Sequence, residues 1–412
     1  MRRILVVSND LVVYATAISQ PTGIQRVAQG IAAGLLRIAV ASQGQLAVEL
    51  ITVGGGAARR IEPRSVGIGG PPRVSARAAG PLLTLLSRAP RNMQERTRAV
   101  ARSLLAWRAA REGRALRVDP TDWILVAGAP WIAPGTADAA VALKRVSGAR
   151  LSLLVHDLLP LTSPEWYADR QSRSARDDVA ALIGAADQLF AVSPEVAKEI
   201  SLRLQRAARS LPPADPELQL PSSAESTKGA DPYVLYVGTL HPRKRVASLA
   251  RSIATIAAAT DVATAPRLII AGRRHPQDAE LFAALAETER IPGLRERITL
   301  LHEVDDAALA QLYAGCRFVV LPSLAEGWGI PVREALAAGR PAIATDAVPA
   351  AIGSPFVCVI PAGDDRALTA AIQTWWNGDE PERLAARIRA EFTPRGWGDV
   401  AHELIDALDS AL

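Results

Sequence analysis

Cysteine, methionine and aromatic residues are all scarce in this chain. Its 412 residues include two Cys, two Met and only 4% aromatic residues. Two cysteines are too few for a disulfide framework or a structural zinc site, and Cys316 and Cys358 both lie in apolar surroundings. We therefore predict two buried free thiols in a reducing compartment, the cytosol.

Long apolar runs are also missing. No stretch approaches the roughly 20 apolar residues that a transmembrane helix requires, which predicts a chain without a membrane-spanning segment. Met1-Arg2-Arg3 and the apolar residues after it imitate a signal peptide. Asn9-Asp10 interrupts that run, however, and the segment is needed as the first strand.

Two nucleotide-binding motifs are absent as well. A nicotinamide dehydrogenase would carry Gly-x-Gly-x-x-Gly after its first strand, where this chain has Ser8-Asn9-Asp10. A kinase or ATPase of the P-loop class would carry Gly-x4-Gly-Lys-Ser/Thr, which the sequence does not contain. Both classes are excluded.

Length and patterning predict two α/β domains. A chain of 412 residues is too long for one core, and its short Val/Ile/Leu runs alternate with Ala-rich helical stretches, as in parallel sheets. We predict a first domain over residues 1–207 with a basic insertion at about 57–118, and a Pro-rich linker over 208–231. A second domain follows over 232–390, and a C-terminal helix over 391–412 returns to the first domain.

Positive charge is concentrated in one segment. Residues 59–117 hold fourteen Arg and three acids, a local excess of +11 in a chain of net charge +5. Leucines and Trp107 interleave with the arginines, so the segment could lie on an anionic membrane surface. A solvated insertion is an equally good interpretation. Nucleic acid is disfavoured because the segment lacks the aromatic platforms that bind single strands.

The most informative pair of residues is Glu326 and Glu334. They lie where the predicted strand Phe318–Leu321 passes through a glycine loop into a helix predicted from about Pro331 to Ala338. Backbone N–H groups at such a junction form an anion and hydroxyl site. Two carboxylates suit a ligand with two sets of vicinal hydroxyls, such as a sugar and a ribose. In isolation the pair could equally be a helix-dipole partner and a solvated surface carboxylate.

A cationic turn follows another predicted strand, Tyr233–Leu240. Arg243 and Lys244 come at the start of the helical pattern after it. Arg can fork two phosphate oxygens and Lys supplies a point charge, so together they could neutralise a diphosphate and help it leave. Without further context, the same residues could form a basic turn exposed to water.

Polar residues also follow strands in the first half. His156 leaves the predicted strand Leu151–Val155 and could donate a hydrogen bond to a sugar hydroxyl or carry a proton near it. A lone His at a strand end is more often a satisfied structural residue. Near the N-terminus, Gly23, Gln25 and Arg26 open an amphipathic helix, and the glycine lets a ligand approach the backbone closely.

Taken together, these features resemble one family. Residues 312–346 read Leu-Tyr, a strand, Pro-Ser, Glu-Gly-Trp-Gly-Ile-Pro, a second Glu and Gly-x-Pro. This pattern is similar to the nucleotide-sugar site of the retaining glycosyltransferases of family 4, also called group 1. The segment His156-Asp157-Leu158-Leu159-Pro160 resembles its mannosyltransferase and rhamnosyltransferase branch. The resemblance implies the α/β fold called GT-B: two Rossmann-like, doubly wound parallel-sheet domains that face a central cleft.

The resemblance also implies a set of site residues. The catalytic residues would be Glu326, His156, Lys244 and Arg243. Gly23, Gln25 and Arg26 would lie on the acceptor side. The donor-binding residues would be Glu334, Gly327, Trp328, Gly329, Ile330, Gly238, Thr239, Glu303 and Val304. No metal cofactor is expected, because a DxD type of acidic pair is not evident near the cleft and basic residues would replace the metal.

The implied reaction is retaining transfer of a hexose from a nucleotide-diphosphate sugar to a glycan or lipid-linked saccharide in surface polysaccharide synthesis. GDP-mannose is favoured as donor, ahead of dTDP-rhamnose or a UDP-sugar. We expect a cytoplasmic protein without a nucleic-acid partner, with residues 59–117 as the candidate peripheral contact to the inner face of the cytoplasmic membrane. A non-catalytic nucleotide-sugar-binding protein or a nucleotide-sugar epimerase of the same architecture is the alternative.

Overall fold

The computed structural model describes residues 2–17, 23–69, 113–167, 170–218, 220, 231–275, 277–302 and 304–411. The chain divides into two compact units, residues 1–214 with 395–412 and residues 215–394. Most of the arginine-rich segment 59–117, and with it the predicted membrane contact, lies outside the described residues.

Strands and helices alternate along both units, which confirms the predicted α/β class. The strands are β1 (Arg2–Val7), β2 (Leu46–Gly54), β3 (Ala57–Arg60), β4 (Arg114–Leu116), β5 (Trp123–Val126), β6 (Arg150–Val155), β7 (Gln188–Ala191), β8 (Arg209–Ser210), β9 (Val234–Val237), β10 (Leu268–Ala271), β11 (Ile298–Leu301), β12 (Phe318–Leu321), β13 (Ala342–Thr345) and β14 (Val357–Ile360). The helices are α1 (Asn9–Ala17), α2 (Gly23–Ala41), α3 (Thr136–Ser147), α4 (Leu159–Thr162), α5 (Arg170–Ala185), α6 (Pro194–Leu204), α7 (Val246–Ala259), α8 (Ala279–Thr288), α9 (Asp306–Gly315), α10 (Ile330–Ala337), α11 (Asp365–Asn377), α12 (Glu380–Glu391) and α13 (Trp397–Ser410).

The first unit is built around a mainly parallel sheet. Among the described residues its strands lie in the order β4-β3-β2-β1-β5-β6-β7-β8. Strands β2, β1 and β5 to β8 run parallel, whereas β3 pairs antiparallel with both β2 and β4 at one edge. All four residues of β5 are buried, as expected for an apolar strand in a parallel sheet covered on both faces. The carboxyl ends of β1 and β5 therefore lie side by side.

Helix α2 corrects one expectation from the sequence. By length and composition alone, its 19 residues could cross a membrane, although no such stretch was predicted. Its hydropathy comes from alanine, isoleucine and leucine rather than from an unbroken run of large apolar residues. In this structure one stripe of the helix is buried, and that stripe packs on β2 and on α13 within the first unit. Length and composition of this kind are shared by core helices that do not cross a membrane.

Two glycines on α2 allow α13 to approach closely. A Cβ at Gly30 would lie 2.1 Å from Cε2 of Trp397, and one at Gly34 would lie 2.5 Å from the Trp397 carbonyl oxygen. Only residues without a side chain leave room for the indole and the backbone of α13. This contact holds residues 395–412 in the first unit.

The second unit has a wholly parallel sheet in its described part. The order β11-β10-β9-β12-β13-β14 is the 3-2-1-4-5-6 order of the Rossmann fold. Strands β9 and β12 are neighbours at its centre, yet the chain continues from them toward opposite edges. Ligands of open α/β sheets bind at such a switch point, at the carboxyl ends of the strands. The fold alone thus directs attention to the loops after β9 and β12.

Arg333 ties both ends of the second unit to α10. Its Nη2 lies 2.7 Å from Oδ2 of Asp215, whose side chain is 1% exposed, and its guanidinium lies 4.9 Å from the centre of the Phe392 ring. Asp215 opens the unit and Phe392 comes near its end. The position of α10 is therefore fixed by the two segments through which the chain enters and leaves the unit.

The glycine contact on α2 gives a stability prediction. Gly30→Ala should lower the free energy of unfolding by about 1–3 kcal/mol, because the new methyl group overlaps the Trp397 indole and forces α13 to shift. Gly184→Ala is the matched control, since a Cβ at this helical glycine meets no atom within 4 Å. Its effect should stay within about 0.5 kcal/mol in urea unfolding. Equal effects of the two substitutions would contradict the packing argument.

Candidate active site

The cationic turn after β9 is a short 3₁₀ helix rather than the start of an α-helix. It covers Pro242–Lys244, and the backbone N–H of Arg243 donates to Nδ1 of His241 at 3.1 Å. Arg245 then takes a left-handed conformation with φ 52°, which ends the turn before α7 begins. Arg243 and Lys244 are thereby displayed at the carboxyl end of β9.

Glu326 lies in the loop after β12 and contacts both cations of this turn. Its Oε2 accepts from Nη1 of Arg243 at 3.2 Å, and its Oε1 accepts from Nζ of Lys244 and from the hydroxyl of Ser323, the latter at 2.7 Å. Glu326, Arg243 and Lys244 keep only 8%, 15% and 11% of their side chains exposed. The three site residues are thus brought together although about 80 positions separate them.

Backbone hydrogen bonds reinforce this junction. Nη1 of Arg243 donates to the carbonyl of Ala325 at 2.6 Å, and the N–H of Leu324 donates to the carbonyl of Arg243 at 2.8 Å. Behind Glu326, the hydroxyl of Thr345 donates to the carbonyl of Ser323 at 2.5 Å. The loops after β9 and β12 and the last residue of β13 therefore form one connected network.

The cations keep the Glu326 carboxyl ionised. Burial raises the pKa of this carboxyl, but Lys244 and Arg243, together with the Ser323 hydroxyl, outweigh burial and hold the pKa at about 2. Two cations and one carboxylate leave a net positive charge at the switch point. Such a cluster can accept a further anion.

The glycine loop leads directly into α10. Gly329 has φ 107°, and a Cβ there would lie 2.4 Å from Cγ1 of Val348, so both its conformation and its surroundings require glycine. The carbonyl of Trp328 accepts from Ala350 at 2.9 Å, which anchors the loop from the other side. Ile330 is the first helical residue, and a proline follows in the first turn. The N-terminus of α10 thus lies three residues after Gly327.

Glu334 is buried within the second unit rather than exposed on the surface of α10. The residue is 4% exposed, and its Oε2 accepts from the hydroxyl of Tyr313 at 2.6 Å. The solvated carboxylate considered from the sequence is therefore wrong. Burial of a carboxyl group is costly without partners, and the Tyr313 hydroxyl is one such partner.

His156 follows β6 in the first unit. Its Nε2 lies 2.8 Å from the carbonyl oxygen of Ala127, and because a carbonyl only accepts, this nitrogen is the protonated one. Burial lowers the pKa of His156 to about 4, against which the hydrogen bond to Ala127 acts weakly. The imidazole is therefore neutral at pH 7, and Nδ1 is its acceptor nitrogen. This tautomer suits accepting a hydrogen bond from a hydroxyl better than donating one.

A buried acid that sequence reasoning missed lies at the switch point of the first unit. Asp10 is 3% exposed, and its Oδ2 accepts from the backbone N–H of Ala129 at 2.8 Å. A Cβ at Gly128 would lie 2.2 Å from the same oxygen. Burial raises the pKa of Asp10, and the Gln25 side chain is among its hydrogen-bond partners. Gln25 is itself 1% exposed.

The remaining predicted residues are distributed as follows. Gly23 and Arg26 are half-buried on the first turn of α2. Gly238 directly follows β9 and has φ 149°. Thr239 is exposed, and its carbonyl accepts from the Tyr236 hydroxyl at 3.1 Å. Val304 packs on the core of the second unit, and Glu303 lies outside the described residues. Their assignment as site residues stays a prediction.

Several neighbours of the site could have been found from the sequence. Ser323 precedes Glu326 by three residues, and Tyr313 belongs to the Leu-Tyr pair of the family pattern. Nothing in the local sequence marked Asp10 as a site residue.

Within the described ranges, no group of three His, Cys, Asp or Glu residues is placed to hold a metal ion. Cys316 is buried, Cys358 is half-buried, and both are free thiols.

Comparison with known families supports the resemblance for part of the chain. Residues 231–377, within the second unit, match the family described as Glycosyl transferases group 1. The match contains Arg243, Lys244, Glu326 and Glu334. The resemblance is confirmed at this level, whereas family 4 and a retaining mechanism stay predictions.

Two mannosyltransferases of Escherichia coli are similar in sequence. The serotype-specific mannosyltransferase WbdA is 28% identical over 225 residues, which are 49% of this chain and 26% of WbdA. The O-antigen chain mannosyltransferase B is 26% identical over 266 residues, which are 61% of this chain and 68% of that protein. The matched part of this chain therefore spans about a quarter of the length of WbdA.

Solved structures share the fold. Sucrose-phosphate synthase from Thermosynechococcus elongatus has a TM-score of 0.60 at 21% identity, and Anabaena HepE in complex with UDP-glucose has 0.62 at 16% identity. Each comparison covers 100% of both chains. Sequence identities this low support a shared fold and nothing further. That fold is GT-B, as predicted.

The ionised Glu326 gives a pH prediction. Its pKa is depressed from 4.5 to about 2 in the folded protein, so its contribution is complete above pH 4.5 and is lost as the pH falls toward 2. Relative to Glu326→Gln, the wild type should be more stable by roughly 3 kcal/mol at pH 7, and this difference should shrink steadily below pH 4.5. Urea unfolding between pH 7 and pH 2.5 measures it.

Glu391→Gln is the control for this titration. Its carboxylate pairs with Arg387 at the surface, 2.9 Å from Nη2, where solvent screens the interaction. The substitution should change stability little at either end of the pH range. A stability difference for Glu326→Gln that does not depend on pH would contradict an ionised, cation-paired carboxyl.

Proposed function

We propose that this chain is a retaining glycosyltransferase that transfers a hexose from a nucleotide-diphosphate sugar to a glycan or lipid-linked saccharide. The observation that carries the proposal is the meeting of Arg243, Lys244 and Glu326 at the switch point of a Rossmann-type sheet. A diphosphate requires cations at this place, and a sugar requires a carboxylate beside them. The match of residues 231–377 to group 1 glycosyltransferases supports the same reaction class.

The two cations would bind and stabilise the leaving diphosphate. Arg243 can contact two phosphate oxygens at once, and Lys244 adds a point charge. Negative charge on the diphosphate grows as the bond to the sugar breaks, so fixed cations stabilise the transition state more than the ground state. No metal ion is needed in this scheme, since the cations supply the charge.

Glu326 would have two roles, one structural and one in binding the sugar. It holds Arg243 and Lys244 in place through its present contacts. With the N–H groups of Gly327 to Ile330 beside it, it would also accept hydrogen bonds from hydroxyls of the transferred sugar. Glu334, eight residues further along, would take the ribose hydroxyls of the donor.

Retention would follow from attack on the face that the leaving group departs from. The bond from the anomeric carbon to the diphosphate oxygen breaks, and the bond to the acceptor oxygen forms on the same side. The acceptor proton passes to the departing phosphate oxygen, so no protein base is required. The neutral His156, with Nδ1 as acceptor, would bind a sugar hydroxyl rather than carry the proton.

GDP-mannose is the proposed donor. The segment that begins at His156 resembles mannosyltransferases, and the names of both E. coli relatives support mannose as the transferred sugar. The acceptor proposed is a growing surface polysaccharide, with Gly23, Gln25 and Arg26 on the acceptor side. A protein of the cytoplasm, or of the inner face of its membrane, would have access to both substrates.

The direct test is a panel assay. The purified chain is incubated with GDP-, UDP- and dTDP-sugars and a saccharide acceptor, and release of each nucleoside diphosphate is measured. GDP release from GDP-mannose, with an α-linked product by NMR, is expected because GDP-mannose carries an α-linked sugar. A β-linked product would contradict retention. Conversion of the sugar without nucleotide release would indicate an epimerase, and binding without turnover a non-catalytic protein.

Glu326→Ala is expected to lower turnover by orders of magnitude while the fold stays intact, because it frees both cations and removes the sugar contact. Turnover is followed by nucleotide release, and folding by circular dichroism. Unchanged turnover would refute the assigned role.

Lys244→Ala should likewise reduce kcat about 100-fold or more, because the diphosphate loses one of its two cations. Arg245→Gln is the matched control, since Arg245 is the next residue but pairs with the exposed Asp365 at 2.5 Å. Its kcat should stay within about threefold of wild type, as expected of an exposed pair. Equal losses of kcat in the two variants would show that removing any positive charge from this turn lowers turnover, whatever its position.

A further inference from the structure

One tyrosine in the core of the second unit has an unusual partner. Tyr313 on α9 is 0% exposed, and its hydroxyl donates to Oε2 of Glu334 on α10 at 2.6 Å. Glu334 is 4% exposed, so the contact lies away from water. The distance is that of a well-formed O–H···O hydrogen bond.

Two other buried tyrosines in the same core show what a structural hydroxyl does. Tyr233 donates to the carbonyl of Leu312 at 2.8 Å, and Tyr236 donates to the carbonyl of Thr239 at 3.1 Å. Each satisfies its hydroxyl with a backbone oxygen that is already held in place. Tyr313 instead donates to the carboxylate oxygen of a side chain. Its hydroxyl is therefore placed to control the direction of a carboxylate.

The contact also links α9 to α10, because the Tyr313 hydroxyl on α9 holds the Glu334 carboxylate on α10. Glu334 has three rotatable side-chain bonds, and a carboxylate that kept this freedom after folding would pay an entropy cost on binding a ligand. A hydroxyl that already holds Oε2 removes that entropy cost in advance. Arg333, the preceding residue, holds the same helix through Asp215. The carboxylate is thus preorganised both by its helix and by its own hydrogen bond.

We propose that Tyr313 is a positioning residue that orients Glu334 toward the ribose of the donor and makes the site selective for ribonucleoside diphosphates. This inference rests on the proposed function, because it takes Glu334 as the ribose contact. A buried carboxylate fixed in one direction accepts from a vicinal diol. It is left without those donors when the hydroxyls are missing. Sites of this kind reject analogues that lack a hydroxyl much more strongly than flexible sites do.

The chemistry has a consequence for the donor. A dTDP-sugar lacks one of the two ribose hydroxyls, whereas GDP- and UDP-sugars have both. A preorganised Glu334 therefore favours the ribonucleotide donors over dTDP-rhamnose. This selectivity depends on the hydroxyl of Tyr313, not on the nucleobase.

The test compares ribose preference among variants by calorimetric titration. The ligands are GDP and 2′,3′-dideoxy-GDP, with UDP and its dideoxy form as a second pair. Wild type should bind the ribonucleotide at least about 30-fold more tightly than the dideoxy form. In Tyr313→Phe this ratio should fall to about threefold or less, while affinity for the dideoxy ligand stays within about twofold.

Tyr233→Phe is the matched control. It removes one buried hydroxyl from the same core, next to Leu312, without touching Glu334. It should cost a similar amount of stability and keep the wild-type ribose preference. A purely structural role of Tyr313 would lower the affinity for both ligands equally and leave their ratio unchanged, which would overturn the proposal. An equal loss of the ratio in Tyr233→Phe would overturn it as well.

A second variant keeps the test decisive if Tyr313→Phe does not fold. Glu334→Asp retains the charge but withdraws the carboxylate from the Tyr313 hydroxyl, so the ribose preference should fall to the same low ratio. A preference that survives in Glu334→Asp would contradict the orientation argument. Wild type that binds both forms of the nucleotide equally would reject the inference alone. Wild type that binds no nucleoside diphosphate would reject the proposed function.

Discussion

The ion pairing of Glu326 with Arg243 and Lys244 is the interaction on which the second unit's site depends. Three charged groups are withdrawn from water at the ends of two central strands, and each is tolerated only because the others are present. The carboxylate sets where the cations lie, and the backbone contacts around Arg243 set where the carboxylate lies. The positions of the two loops are consequently coupled, because neither loop can move without separating Glu326 from its two cations.

Much of this arrangement could be predicted from the sequence. Apolar runs rich in β-branched residues identify their strands whatever their neighbours, as for Phe318–Leu321, and the glycine loop with Pro331 predicts a helix that begins within one residue of the observed start of α10. The proximity of Glu326 to the cationic turn was available only through the resemblance to a family. Pattern and spacing contain no information about which strand ends become neighbours.

Other features could not be predicted, because they depend on contacts between distant residues. The left-handed conformation of Arg245 converts the expected helix start into a 3₁₀ turn, and nothing in the local sequence requires it. The Tyr313 hydroxyl meets Glu334 across 21 positions of the chain, and the local sequence around neither residue indicates this contact.

Each unit places an acid at the switch point of its sheet, but the two acids have opposite surroundings. Asp10 lies against amide groups of Ala129 and Gln25, and burial raises its pKa, whereas cations hold the pKa of Glu326 at about 2. The nearby imidazole of His156 is neutral at pH 7. At the strand ends of the first unit the acid is surrounded by amide donors, whereas at those of the second unit it is paired with two cations, which suit an anion such as phosphate. The loops after β1 and β5 in the first unit and those after β9 and β12 in the second therefore carry different chemistry, although both pairs of loops lie at the switch point of an α/β sheet.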